Sequence, residues 1–181
     1  ILIFDLHSEY AAAFPDANVI TVDDLVLPYW LLNEDEMEDM FLESGDNNNY
    51  NQEALLRQVV TAAKKISNPD VEKVSFDSPL RYDINHVANA FRNLTRETKN
   101  ADNSLLIKFK DNTEINFPDV DAQIEHYCMA LREFAPTKRS EINKGPYADG
   151  TIDKFERRIR SKITNTRLGF IFGEKAKRAS L

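Results

Sequence analysis

The chain opens Ile1-Leu2-Ile3-Phe4 and turns abruptly polar at Asp5. A run that is apolar at every position, not at every second one, reads as a strand buried on both faces. Such a strand needs a neighbouring strand on each side, and the rest of the sequence offers few of similar character. Residues 1–6 are therefore expected to form one strand of a sheet built largely from other segments. No methionine precedes the run, so the chain is expected to be an excerpt from a larger α/β protein. A trimmed or processed start is the alternative.

The composition suits one globular domain or one lobe of a larger one. Of 181 residues, 42% are hydrophobic and 29% charged, which excludes a disordered chain. No apolar stretch approaches the ~18 residues of a membrane span. Cys128 stands alone, so no internal disulfide can form, and a reducing, cytoplasmic setting is expected. Charge is unevenly placed. No Lys or Arg precedes Arg57, whereas 13 Asp or Glu occur up to Glu53. Residues 138–181 carry 12 Lys or Arg against 5 Asp or Glu, so an acidic chain ends in a basic quarter.

Along the chain, strand-like ends flank a mostly helical middle. Asn18 to Val22 is a second short apolar run. Pro28 interrupts Leu25 to Leu32, which suits a loop or strand end. Asn33 with Glu36 three residues on predicts a capped helix, and Met37, Met40 and Phe41 give its stripe. Leu55, Leu56, Val59, Val60, Ala63 and Ile66 predict a helix over about 52–66, stopped by Asn68-Pro69. Asp83 can cap a third helix. Leu105, Ile107 and Phe109, then Ile115 and Phe117, alternate around Asp111-Asn112 as a β-hairpin does. A fourth helix starts at Asp119 or Asp121. Pro136, Gly145, Pro146 and Gly150 make 135–150 a loop. Thr151 can cap a fifth helix, and Arg167 to Phe172 reads as a closing strand. This is the pattern of a helical insertion in an α/β sheet.

Two features can carry chemistry. Asp5-x-His7-x-Glu9 follows the end of the first apolar run, where α/β folds place ligand sites. The carboxylates can hold Mg2+ or orient a water, and His7 can contact a phosphate. The alternative is a solvated strand end with Tyr10 and Phe14 packed behind it. On the fifth helix Lys154, Arg157 and Arg158 share a face, and Arg160, Lys162 and Arg167 follow. Such arginines can contact phosphates, or form a merely solvated face. No Gly-x-x-x-x-Gly-Lys-Ser/Thr loop occurs, and no apolar strand ends in Asp-Glu. His86 and His126 fall on expected helices and read as helix-surface or partly buried residues. Trp30 reads as a core anchor.

The run Ile3-Phe4-Asp5-Leu6-His7-Ser8-Glu9-Tyr10 resembles the Asp-x-His-Gly-Glu-Tyr strand-to-loop element of HerA-like ATPases in the HerA–FtsK superfamily. The order downstream is also similar. Leu27-Pro28-Tyr29-Trp30-Leu31-Leu32 resembles an apolar Leu-Pro-Phe-Trp-Leu-Leu segment, and Asp77-Ser78-Pro79 a family turn. Phe155, Arg158, Ile159, Arg167, Leu168 and Phe170 resemble its closing pattern. Ser8 departs from the usual glycine.

The resemblance implies part of a RecA/FtsK-like ATPase sheet with a mostly helical insertion and a β-hairpin. Residues 1–32 would be the edge of the ATPase core, 33–150 the insertion, and 151–181 the return to the core. It implies a hexameric, Mg-ATP-driven DNA translocase or helicase, working with a nuclease or an antiphage-defence effector, with no membrane partner. Asp5 and Glu9 would lie near nucleotide and Mg2+, with His7 contacting the nucleotide. Arg157, Arg158 or Arg167 would meet a neighbouring subunit or a phosphate. This segment alone would bind neither ATP nor Mg2+ and would be inactive. Two rival readings are a non-catalytic helical interaction module and a metallophosphoesterase-like hydrolase using Asp5-x-His7. The second lacks the further histidine ligands that a dinuclear metal site needs.

Overall fold

In the computed structural model, residues 3–5, 9–21, 24–43 and 49–179 are described. The helices are α1 (Tyr10–Ala13), α2 (Glu34–Phe41), α3 (Asn49–Ser67), α4 (Ile84–Leu94), α5 (Val120–Met129), α6 (Asp153–Ile163), α7 (Gly169–Phe172) and α8 (Glu174–Arg178). Four three-residue strands are β1 (Thr98–Asn100), β2 (Leu106–Lys108), β3 (Glu114–Asn116) and β4 (Ile142–Lys144). Single 3-10 turns cover Tyr29–Leu31 and Thr166–Leu168.

The start of α2 follows from its sequence. Asn33 Oδ1 accepts the Glu36 N–H at 2.9 Å, and Glu36 Oε2 accepts the Asn33 N–H at 2.9 Å. This reciprocal pair occupies two backbone donors that would otherwise lack partners. Glu34, Asp35 and Glu36 add negative charge where the helix dipole favours it. Asp83 and Asp119 cap α4 and α5 through the N–H groups of Asn85 and Ala122. The expected hairpin forms, with Ile107 opposite Ile115 across β2 and β3. Asn112 turns it with φ +67°.

The core lies among the helices. α4 packs on α5, α3 and α6, and α3 also packs on α5. Leu56, Val59, Ile84, Val87, Phe91, Tyr127 and Phe155 are fully enclosed. Phe91 meets Phe155 edge to face at 5.1 Å. Each such side chain contributes roughly 1.5–3 kcal/mol by leaving water. Tyr29 and Trp30 enter the same core, so Trp30 is the expected anchor. Tyr29 stacks on Phe172 at 5.7 Å, which joins the segment before α2 to α7.

Several elements differ from the sequence-based expectation. Ile3–Asp5 form no strand, and Phe4 is 86% exposed. The other residues of the expected 1–6 strand lie outside the described residues. Asn18–Thr21 form no strand either, and Val19 and Ile20 are exposed. The physical reason is common to both. The described strands pair only as β1 with β4 and β2 with β3, so no sheet edge receives these runs. Tyr10 and Phe14, which the solvated-strand-end alternative packs behind the first loop, are each 51% exposed. Arg167–Phe172 is helical, not a strand. Ile171 and Phe172 are adjacent and both buried, which a strand covered on one face only cannot satisfy. Thr151 does not cap α6. Its hydroxyl donates to Asp149 at 2.7 Å, and Ile152 takes the position before the helix. The expected loop 135–150 contains β4, which pairs antiparallel with β1 in the register Thr98 opposite Lys144.

Candidate functional site

Asp5 sits five residues before the start of α1 at Tyr10 and ties the chain down there. Its Oδ2 accepts the Tyr10 N–H at 3.0 Å, and its Oδ1 accepts the Glu9 N–H at 3.2 Å. One carboxylate therefore satisfies two donors at the start of a helical turn, as capping acids do. The Glu9 residue is exposed. His7 lies outside the described residues. The element thus places two carboxylates close together in sequence, one held by backbone and one facing solvent.

The three candidate arginines have different surroundings. Arg158 is committed within the chain. Its Nη1 donates to the Phe41 carbonyl at 2.8 Å, and its Nη2 lies 2.7 Å from Glu43 Oε2. No basic residue lies in the last turn of α2, so Arg158 supplies the cation that this helix end favours. Arg157 points to solvent from the next position on α6. Arg167 is exposed on the 3-10 turn, where Asn165 Oδ1 accepts its N–H at 2.9 Å. It lines a cleft of 640 Å³ with Leu25, Phe170 and Lys175. Of the three arginines, Arg167 lines this cleft, whereas Arg157 and Arg158 do not.

Polar groups that sequence reasoning missed lie elsewhere. Lys64, on the inner side of α3, donates to the carbonyls of Phe76 and Ser78. Asp77 between them accepts the Glu34 N–H at 2.9 Å. The Asp77-Ser78-Pro79 turn thus joins α3 to the start of α2. In the sequence, Lys64 differs from other helix lysines only by falling on the Val60–Ala63 apolar face. Glu97 is fully buried beside Gln123 and Tyr127, both of which donate to its Oε1. Burial pushes its carboxyl above the ordinary glutamate range, against the opposing pull of Lys99.

Among the described residues, three possible metal-ligand atoms come together only at Glu34, Glu38 and Glu53. That trio is all carboxylate and lies on α2 and α3, remote in sequence from Asp5. His86 and His126 join no such group among the described residues. His126 lies between the rings of Phe109 and Phe117, and burial, then the Arg132 charge, lowers its pKa. No described helix is long and apolar enough to cross a membrane.

A search of curated proteins finds no match to the chain. A family model described as "Helicase HerA, central domain" matches residues 1–138. That span starts at the Asp5 element, includes the Asp77 turn and the hairpin, and ends before β4. It covers well over half of the chain, and the chain belongs to the HerA helicase family through its central domain.

Proposed function

We propose that this chain is a segment of an ATP-driven DNA translocase or helicase of HerA type. The family match over residues 1–138 carries the reading. In it, residues 1–32 belong to the edge of a RecA-like ATPase core, 33–150 form the helical insertion, and 151–181 return to that core. The surface of residues 1–32 supports the first of these places. Phe4, Tyr10, Phe14, Val19 and Ile20 are all at least half exposed, a density of apolar side chains that marks a face covered by further polypeptide.

In this reading Asp5 and Glu9 face the Mg2+ of a bound ATP. A carboxylate pinned by two N–H groups keeps its position as charge builds on the phosphate, so it orients a water or a metal-bound water without rearranging. His7 contributes a phosphate contact from the same loop. ATP and Mg2+ supply the reacting phosphate and its charge neutralisation, and a phosphate-binding loop comes from another segment. Arg167 is the cation for a phosphate held by a neighbouring subunit of a ring, because its guanidinium lies at an open cleft while Arg158 is used inside the fold. DNA is the translocated polymer, and a nuclease or defence effector is the working partner.

The test is Mg-dependent ATP hydrolysis, with and without duplex DNA. The 181-residue chain alone should show none. Combined with the polypeptide that carries a Gly-Lys-Ser/Thr loop, it should hydrolyse ATP, and Asp5→Ala should abolish that turnover. Turnover by the chain alone, or an assembly indifferent to Asp5→Ala, would overturn the reading.

A further inference from the structure

α2 and α6 lie side by side. Arg158 of α6 reaches both the last carbonyl of α2 and Glu43 just beyond it. The outward rows of the two helices carry opposite charge. On α2, Asp35 and Asp39 are exposed and one turn apart. On α6, Lys154 and Arg157 are exposed and likewise one turn apart. None of these four side chains makes a hydrogen bond or ion pair among the described residues.

The neighbouring acids decide what can cover the basic row. Packed helices lie about 8–10 Å apart. The screening length at physiological salt is about 8 Å. The exposed acids Asp35, Glu36, Asp39 and Glu43 on the adjoining element therefore stand about one screening length from a phosphate bound on α6, and offset part of its attraction, the more so at low salt. A nucleic-acid backbone or an acidic protein would be attracted by one row and repelled by the other. A basic partner would meet the same conflict in reverse. A surface that carries both signs in matching rows has no such conflict, and a second copy of this chain carries them. A half-turn about an axis parallel to the two helices and lying in the contact plane places each acidic row over a basic one.

We propose that α2 and α6 together form a self-complementary docking surface for a second copy of this chain, Asp35 and Asp39 of each copy meeting Lys154 and Arg157 of the other. The contact is isologous and closes at two copies. Its twofold symmetry differs from the head-to-tail symmetry of the ring proposed above, and it stands whether or not the chain serves an ATPase. Exposed charges contribute little pair by pair, so the association is weak and falls with salt.

Sedimentation velocity of the 181-residue chain tests it at ~0.05 M and ~0.5 M salt, between which the screening length drops from about 14 Å to about 4 Å. The expected result is a monomer–dimer equilibrium whose Kd rises at least about tenfold at the higher salt. Arg157→Glu alone and Asp39→Lys alone should each weaken the dimer roughly tenfold or more, because the twofold axis repeats every altered contact. The two changes in one chain should restore it, since the swapped charges again face opposite signs. All three variants should keep the circular dichroism of the parent, because the altered positions are exposed. A chain that stays monomeric at both salts overturns the proposal. So does a dimer that ignores the reversals, or a doubly reversed chain that fails to recover. A monomeric chain that binds duplex DNA through Arg157 would assign the basic row to nucleic acid instead.

Discussion

The ammonium of Lys64 donates to the carbonyl oxygen of Ser78 at 2.6 Å and also to that of Phe76. The same charge lies 5.6 Å from the centre of the Tyr82 ring. A lysine is thereby held inside the fold by carbonyl dipoles and aromatic faces. Burial is the larger effect, and it pulls the pKa from 10.5 down to about 8, with Asp77 opposing. The folded state thus releases this proton more readily than the unfolded chain. The stability contributed is complete above the unfolded value and is lost as pH falls through about 8. Urea unfolding should show stability rising between about pH 8 and 10.5. The neutral amine keeps two N–H groups for its two carbonyls. Lys64→Met should remove that slope. It should also destabilise the fold by roughly 1–3 kcal/mol, because buried carbonyls lose their donor.

Arg158 predicts a different loss. It joins residues 117 positions apart through the Phe41 carbonyl, and its side chain is 14% exposed. Arg158→Ala leaves the end of α2 without a cation and should cost roughly 1.5–3 kcal/mol, the range for a hydrogen bond to a charged group. Arg158→Lys should recover only part of this, because an ammonium cannot bridge carbonyl and carboxylate with a planar fork. Chemical denaturation of both variants checks the order.

Glu97 and Gly145 form a third testable pair. A Cβ added at Gly145 would stand 2.5 Å from Glu97 Oε2. Gly145→Ala should therefore displace a fully buried carboxyl and destabilise by about 1–3 kcal/mol, as overpacking does. Glu97→Gln addresses charge instead of space. Burial raises the folded pKa of Glu97, so the stability it contributes is present at low pH and lost as pH rises through the folded value. Unfolding midpoints taken upward from the ordinary glutamate range should fall in the parent relative to Glu97→Gln. Equal pH profiles for the two proteins would mean that Glu97 is ionised in the fold.

Local features were legible in the sequence because their causes are local. The Asn33–Glu36 capping box, the Asp83 and Asp119 caps and the Asp111-Asn112 turn depend on residues a few positions apart. β1 and β4 were not legible. Each has three residues, too few for a periodicity to detect, and Lys99 faces Asn143 across a stretch that holds β2, β3 and α5. The runs at Ile3 and Val19 show the opposite case. Their strand character is plain in sequence, but a strand needs a partner, and the described strands pair only with one another. The arginines divide in the same way. Spacing placed Arg157 and Arg158 on one helix face, whereas only the distant Phe41 carbonyl separates a fold-holding arginine from a free one.

Arg167 is where stability and function should come apart. It is exposed, its backbone N–H is fixed by Asn165 at 2.9 Å, and the residue lines a cleft with Leu25 and Phe170. Nothing in the core depends on that guanidinium. Arg167→Ala should leave the unfolding free energy within about 0.5 kcal/mol of the parent, as exposed substitutions do. If it meets a phosphate across a subunit boundary, Mg-ATP turnover in the ATPase assembly should fall roughly 10³-fold or more, the range for an arginine acting in trans. Asn165→Ala should give the converse. It removes a cap worth roughly 0.5–2 kcal/mol and loosens the turn that aims Arg167, so stability and turnover fall together. Mixing inactive Arg167→Ala chains with chains defective in the phosphate loop separates the possibilities. Partial recovery of turnover places the arginine and the nucleotide on different subunits. No recovery at any ratio, with rings still formed, would place them on the same one.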